Sequence, residues 1–236
     1  MTETQNAESP NPEGTLVRLR GIRRTAAKRM VAAWEAPMFH LTVEPDVTAV
    51  LRFSSEREGV TLTDCFIAAA AHALRQVPDV NVHVGDGHVI MFDRAHIGVA
   101  VATDAGLIVP VIRDADLLTL TEISDRRREL VLRARRGELA IDDVTGGTFT
   151  ISNLGMTSVT RFDAIVNPPE AAIIAIGTTR RVPVPSDGGA LDWRQTAAVT
   201  LTADHRALDG ATGARFLQAY ETWLSAPTAS APLGSA

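Results

Sequence analysis

The chain has 236 residues, of which 45% are hydrophobic and 22% are charged, so it is long enough for one sizeable globular domain with its own core. Its formal net charge of -5 at pH 7 argues against a general role in nucleic-acid binding, and no apolar run approaches the roughly 18 residues of a membrane span. The single cysteine, Cys65, excludes an internal disulfide and favours a reducing compartment.

The two ends of the chain differ in composition from the stretch between them. Residues 1–14 are polar, contain two prolines and lack hydrophobic periodicity, which predicts a disordered leader. This start is unlike a secretory signal, and we therefore expect a cytoplasmic protein. Residues 227–236 show no packing pattern and predict a flexible tail. One folded domain is therefore expected over residues 15–226.

Helices and strands alternate in the first half of this domain. Apolar residues at helical spacing predict a helix over residues 22–34, which Pro37 ends. The elements predicted next are a strand over residues 39–47, a buried alanine-rich helix from Thr63 through Gln76, and a β-hairpin over residues 80–92 that turns on Gly85–Gly87. Cys65 lies among apolar residues of the second helix and is interpreted as a small core residue rather than a nucleophile.

Two features of this half have competing interpretations. The basic residues of the first helix could contact the phosphates of a coenzyme, but a solvated or interface face is favoured; they are Arg23, Arg24, Lys28 and Arg29. His83 and His88 flank the hairpin turn and could bind a metal. No third ligand lies nearby in the sequence, so we expect no metal site.

The second half predicts a strand-rich region that ends in a helix. Buried strands are expected over residues 95–102 and 107–112, followed by an arginine-rich helix over 119–136 whose run at residues 126–128 is interpreted as a solvated face. The elements expected after this helix are a short strand over 149–152, an irregular loop over 159–169, a buried strand over 171–177, a surface turn over 182–189, a strand over 193–201 and a helix over 211–224.

His205 lies where the last predicted strand ends and the last helix begins. A scaffold holds a side chain rigidly at such a junction while leaving it reachable. Asp209 stands four residues later, before Gly210, and is a candidate N-cap of the helix. The alternative is a buried histidine with its hydrogen bonds satisfied, next to a capping aspartate.

The segment around His205 resembles the His-x-x-x-Asp-Gly signature of the chloramphenicol acetyltransferase-like acyltransferases. It is more similar to Asp-His-Arg-x-x-Asp-Gly in the catalytic domain of 2-oxoacid dehydrogenase acyltransferases, the E2 subunits. Three further blocks match in the family's order: residues 97–113, residues 147–156, and Phe162 with residues 165–170. The resemblance implies an α/β two-layer fold, in which helices cover a mixed β-sheet.

The resemblance also implies an enzyme that transfers an acyl group from coenzyme A or acetyl-CoA within a ternary complex. An imidazole can accept a proton near neutral pH, so His205 is the candidate general base. By the resemblance, the hydroxyl that stabilises the oxyanion is Ser152, with Thr150 on the same strand face as the second candidate. Asp209 is expected to orient the loop or the imidazole. No Gly-x-Ser-x-Gly elbow surrounds Ser152, which argues against a serine hydrolase.

The same resemblance implies a homotrimer with active sites between subunits, His205 facing the serine of a neighbour. Lys28 is the only lysine and lies in the first helix, so we expect no covalently attached lipoyl group. The tail offers little for a cage anchor, which favours an isolated trimer. The favoured acceptor is a hydroxyl of a small molecule of the tetronate type, as in antibiotic biosynthesis. The alternatives are a dihydrolipoyl group on another chain and a scaffold without catalysis.

Overall fold

The structure, a computed structural model, describes residues 14–185 and 191–228. Nearly all of the predicted leader, most of the predicted tail and part of the predicted turn over 182–189 lie outside the described residues. The described residues form five α-helices and ten β-strands, in the order α1 (Gly21–Trp34), β1 (Met38–Val43), α2 (Thr48–Ser55), α3 (Leu62–Gln76), β2 (Val82–Val84), β3 (Val89–Met91), β4 (Ile97–Val99), β5 (Val101–Thr103), β6 (Gly106–Ile108), β7 (Val111–Ile112), α4 (Leu120–Arg136), β8 (Phe149–Asn153), β9 (Ala172–Pro185), β10 (Leu191–Asp204) and α5 (Gly210–Ser225).

A six-stranded mixed sheet organises these elements, in the order β1-β10-β9-β8-β4-β7. Its central strands β9, β8 and β4 are parallel, whereas β10, β1 and β7 each run antiparallel to a neighbour. The strand pairs β2–β3 and β5–β6 form two separate small hairpins. Helices cover one face of the sheet, and this arrangement confirms the predicted α/β fold with a mixed sheet.

The main core lies between this sheet and helices α3 and α5. Ala68–Ala71 of α3 are fully buried, and their small side chains allow α5 to pack closely beside them. Phe149 of β8 meets Phe216 of α5, with ring centroids 5.3 Å apart. Cys65 is also fully buried, and burial raises the pKa of its thiol to about 12. This agrees with its interpretation as a core residue.

Three regions differ from the sequence predictions. The buried strands expected over residues 95–102 and 107–112 are each divided: β4 and β7 join the main sheet, whereas β5 and β6 form a separate hairpin in which Leu107 is exposed. The predicted strand over residues 39–47 stops at Val43, and α2 follows without having been predicted; its Val50 and Ser54 are buried. The predicted turn over 182–189 is wrong for its first four residues, which belong to β9. Prolines suggested a turn there, but Pro183 and Pro185 pair with Trp193 and Leu191 of β10 in a long two-stranded ribbon.

One residue of the arginine run in α4 is not solvated as predicted. Arg127 has 14% of its side chain exposed and binds the fully buried Asp64 of α3 in a bidentate pair, with Nε–Oδ1 at 2.5 Å and Nη2–Oδ2 at 3.1 Å. Asp64 also accepts from the Thr61 hydroxyl at 2.7 Å in the capping box of α3. Arg127 is at helical spacing from the buried Ile123 and Leu130, so it lies on the inner side of α4 and joins this helix to α3.

Among the described residues, no helix has both the length and the apolar composition needed to cross a membrane.

Candidate active site

The loop that carries His205 is held by neighbouring backbone and aromatic contacts. It connects β10 to α5, as the sequence predicted. The His205 amide donates to the Pro37 carbonyl at 2.8 Å, and its ring lies against Phe39, with centroids 4.8 Å apart. The side chain is nevertheless exposed and borders a cavity of about 340 Å³ that Val82 and Met91 also line. The buried-histidine alternative is therefore excluded, and the imidazole is reachable from solvent.

The two residues that flank His205, Asp204 and Arg206, form an ion pair with each other that fixes the shape of this turn. Asp204 is 3% exposed and accepts from the Arg206 amide at 2.9 Å and from its guanidinium, the closest contact being Nη2–Oδ2 at 2.6 Å. This bond raises the pKa of Arg206. The Asp204 amide donates to the carbonyl of Ala171, the residue directly before β9. The sequence shows these residues next to His205, but nothing in it predicted that they pair with each other.

Asp209 acts on the helix rather than on the imidazole. Its carboxylate accepts from the Thr212 amide at 2.8 Å, which makes it the N-cap of α5 as predicted. This bond lowers the pKa of Asp209. Among the described residues it makes no hydrogen bond to His205. The capping bond orients the loop only by fixing where α5 begins.

Ser152 lies near the end of β8, on the sheet face turned away from α3 and α5. Its neighbour Asn153 points to the helical side, where it donates to the Thr63 hydroxyl of α3 at 3.0 Å. Because successive side chains alternate, Ser152 and Thr150 share the opposite face. Ser152 is partly exposed, and within the described ranges its hydroxyl has no hydrogen-bond partner.

Thr150, the second candidate for the oxyanion donor, is engaged elsewhere. It is 1% exposed, and its hydroxyl donates to Glu170 Oε2 at 2.5 Å. Glu170 Oε1 also accepts from the side-chain amide of Asn167 at 3.0 Å. Burial raises the pKa of Glu170 to about 7, although these two hydrogen bonds and the charge of Arg29 oppose the shift. Of the two hydroxyls, that of Ser152 is the one free to meet a substrate.

Within one chain, His205 and Ser152 are too far apart to act on the same carbonyl. The sheet register aligns Ser152 with Ala175 of β9 and Ala175 with Thr200 of β10. His205 follows Thr200 by five residues, so the two Cα atoms are roughly 19 Å apart from strand rise and strand spacing. A site that uses both groups needs two copies of the chain.

Three other histidines have local partners, among them the two that flank the predicted hairpin turn. His40 Nδ1 lies 3.0 Å from the Thr202 hydroxyl and borders a second cavity, of about 350 Å³, beside Trp34 and Ile165. His83 Nε2 lies 2.7 Å from the Gly147 carbonyl, and His88 Nδ1 lies 2.9 Å from the Asp86 carbonyl. The described residues contain no group of three metal-binding side chains.

Comparisons with known proteins cover nearly the whole chain. The family model described as 2-oxoacid dehydrogenases acyltransferase (catalytic domain) matches residues 11–231. The dihydrolipoyllysine-residue acetyltransferase component of the pyruvate dehydrogenase complex from Zymomonas mobilis is 36% identical over 220 residues, which is 89% of this chain and 50% of that protein. The chain therefore spans about half the length of the curated relatives that it matches.

Solved structures of the same group share the fold. The dihydrolipoamide acetyltransferase of Azotobacter vinelandii matches with a TM-score of 0.85 and 32% identity, covering 91% of this chain and 92% of that one; that crystallographic and enzymatic work concerns the roles of a serine, a histidine and an asparagine in its catalytic mechanism. The cubic core of the pyruvate dehydrogenase multienzyme complex matches with a TM-score of 0.86 and 32% identity, with coverages of 91% and 92%. A chloramphenicol acetyltransferase has the same fold at 13% identity, with a TM-score of 0.58 and coverages of 89% and 99%.

Proposed function

The chain belongs to the family of 2-oxoacid dehydrogenase acyltransferase catalytic domains, and from this membership we propose that it transfers an acyl group between coenzyme A and a dihydrolipoyl group carried on a separate domain. The observation that supports the proposal most directly is the position of His205, which is exposed at a cavity while its backbone is bonded to Pro37. A general base needs both properties, since it must be reachable and correctly placed.

The proposed chemistry is one proton transfer coupled to one acyl transfer. The imidazole of His205 takes the proton of the acceptor thiol, and the sulfur attacks the carbonyl carbon of the acyl thioester. The carbonyl oxygen becomes an oxyanion, which the Ser152 hydroxyl stabilises by donating a hydrogen bond. The intermediate then expels the thiolate of the donor, which recovers the proton from His205. No acyl-enzyme forms, because both thiols are bound at once.

A neighbouring subunit would supply the hydroxyl to each imidazole. The separation of roughly 19 Å within one chain supports this arrangement, since hydrogen-bonding groups around one carbonyl must lie within about 3 Å of it. A cyclic trimer gives three equivalent junctions between a histidine and the next subunit's serine. The match to the cubic core of a multienzyme complex supports such an assembly.

The comparisons favour the dihydrolipoyl acceptor over the small-molecule hydroxyl predicted first. The curated relatives are named dihydrolipoyllysine-residue acetyltransferases, and none of the features described around His205 points to a tetronate. In the Azotobacter protein the asparagine follows the histidine by four positions, which is the spacing between His205 and Asp209. A cytoplasmic location and action in antibiotic biosynthesis remain predictions from the sequence.

An acceptor competition tests the proposal. The purified protein is given acetyl-CoA with either dihydrolipoamide or a hydroxymethyl tetronate, and the acetylated products are measured. We expect dihydrolipoamide to be the far better acceptor, with turnover lost in His205→Ala and lowered about 100-fold in Ser152→Ala. Preference for the hydroxyl acceptor would restore the first prediction from the sequence. Absence of turnover in the wild type with either acceptor would leave only a scaffold, and equal turnover of wild type and His205→Ala would show that His205 is not the general base.

A further inference from the structure

A buried carboxylate outside the proposed catalytic pair lies next to the strand that carries Ser152. Glu170 is 4% exposed, and both of its oxygens accept hydrogen bonds, Oε2 from the Thr150 hydroxyl at 2.5 Å and Oε1 from Asn167 Nδ2 at 3.0 Å. A buried carboxylate is costly unless donors surround it. The two donors directed at it at this place point to a positional role.

The space around this carboxylate is tightly fitted. A Cβ at Gly147 would lie 2.8 Å from Glu170 Oε1, and one at Gly98 would lie 3.0 Å from the Thr150 hydroxyl. Gly98 of β4 and Gly147, in the loop before β8, therefore leave just enough room for the pair. Because Thr150 and Ser152 are two residues apart on the same face of β8, holding Thr150 also holds the strand that presents Ser152.

The backbone next to Glu170 reaches the other half of the proposed site. The amide of Ala171 donates to the Val82 carbonyl at 3.0 Å. The carbonyl of Ala171 accepts from the Asp204 amide at 2.9 Å. Val82 lines the cavity beside His205, and Asp204 directly precedes His205. The backbone of Ala171 is thus bonded to the residue that precedes His205 and to β2 beside the cavity, while the Glu170 side chain is bonded to the serine strand.

We propose that Glu170 is a positioning residue for acyl transfer, whose carboxylate holds Thr150 so that Ser152 is presented in its productive orientation relative to the histidine loop. The inference rests on the proposed function, because it assigns Glu170 a task only if Ser152 stabilises the oxyanion. Glu170 does not touch the reacting atoms itself. Its effect therefore falls on turnover rather than on substrate binding.

The ionised form of Glu170 is the one that accepts both hydrogen bonds. Burial raises its pKa to about 7, so its protonation state changes in the neutral range. The charged and titratable groups that face it are Arg29 of α1, which lowers its pKa, and His83, whose strand forms a bridge with Glu170 and whose ring is bonded to Gly147. A glutamine at this position would resemble the protonated glutamate at every pH.

The test compares Glu170→Gln with wild type over pH 5.5 to 8.5, using acetyl-CoA and dihydrolipoamide. We expect nearly equal kcat at pH 5.5, where wild-type Glu170 is protonated, and a kcat about 10-fold lower for the variant at pH 8, as a small displacement of a catalytic group can cause. The KM for acetyl-CoA should stay within about two-fold. Glu221→Gln, a partly buried glutamate near the far end of α5, is the matched control and should follow wild type at every pH.

Thr150 provides an independent arm if Glu170→Gln does not fold. Thr150→Val should lower kcat about 10-fold at pH 8, Thr150→Ser should restore most of it, and Thr150→Val with Glu170→Gln should be no slower than either single variant because both break one bond. Wild-type kcat in both Glu170→Gln and Thr150→Val, or additive losses in the double variant, would overturn the inference. Failure of the proposed function is distinct, because wild type itself would then not acetylate dihydrolipoamide.

Discussion

Ser152 lies on β8 and His205 directly follows β10, with β9 between these two strands, yet the two residues lie toward opposite ends of the sheet. The sheet therefore fixes both groups firmly and also keeps them apart within each chain. This arrangement makes the proposed site a property of an assembly, because each subunit would offer its histidine at one boundary and its serine at the other. The first prediction follows from this division.

Mixing the two catalytically impaired variants should restore part of the wild-type activity. His205→Ala subunits keep a functional serine, and Ser152→Ala subunits keep a functional histidine. In randomly mixed cyclic trimers, about one quarter of the junctions pair an intact histidine with an intact serine, so about one quarter of wild-type turnover should return. The measurement is acetyl transfer after the two variants are denatured together and refolded, or after they are co-expressed.

Each variant treated alone by the same procedure is the control. No recovery in mixed trimers, with assembly confirmed by light scattering, would show that the two groups do not work across a subunit boundary.

Replacing Asp209 should separate capping from catalysis. Asparagine is as good an N-cap as aspartate, so Asp209→Asn should keep both Tm and turnover close to wild type, whereas Asp209→Ala should lower both.

The Thr212 amide holds the pKa of Asp209 below its ordinary value, so the stabilising effect of its charge is present above the unfolded pKa and is lost as pH falls through the folded pKa. Thermal unfolding between pH 2 and 7 should show this acid loss in wild type and not in Asp209→Asn. Turnover that collapses in Asp209→Asn at unchanged Tm would instead give the carboxylate a direct part in the reaction.

Arg127 should matter far more to stability than the arginines beside it. Arg127→Ala leaves the buried Asp64 without its partner and should cost about 3–5 kcal/mol in the free energy of unfolding. Arg126→Ala is the matched control, because its side chain is 66% exposed, and it should change stability by less than about 0.5 kcal/mol. Urea denaturation of both variants measures the difference. Similar small losses in the two would mean that the pair between α3 and α4 contributes little.

The stability of Glu170→Gln should depend on pH relative to wild type. The folded-state pKa of Glu170 is raised from its ordinary value near 4.5 to about 7, so its contribution is fully present below the unfolded pKa and is lost as pH rises through about 7. Between pH 5 and 8, the difference in unfolding free energy should therefore move in favour of the variant by on the order of 2–3 kcal/mol.

Glu138→Gln, at an exposed position on the loop after α4, should show no such trend. A flat difference for Glu170→Gln over the same range would mean that the carboxylate does not ionise within the fold near neutral pH.

Local signals predicted the part of the fold that local chemistry determines. The helix after His205 was found because Asp209 is a capping residue and the apolar residues that follow have helical spacing. Helix α2 was missed although Val47, Val50 and Ser54 repeat at helical intervals and Asp46 accepts from the Thr48 amide at 2.9 Å, a signal that could have been used. The alternating prolines near the end of β9 were wrongly interpreted as a turn because their pairing with β10 is not visible in the sequence.

The arrangement around the candidate site depends on contacts between distant segments. The bond from Thr150 to Glu170 and the bond from the His205 amide to Pro37 join residues that no periodicity relates. The family resemblance indicated which residues matter, but the separation of His205 from Ser152 within one chain required the register of three strands. Sequence patterns therefore indicate candidate residues for the site, and only the sheet gives their relative positions.

The bond between the Pro37 carbonyl and the His205 amide has a practical consequence for protein engineering. Pro37 lies in the three-residue connection between α1 and β1, so the amino-terminal helix adjoins the backbone that supports the imidazole. A truncation that includes this connection removes the acceptor of the His205 amide, although the deleted residues precede His205 by more than 160 positions in the sequence. Turnover, measured alongside yield and solubility, is the property by which a redesigned amino terminus should be judged.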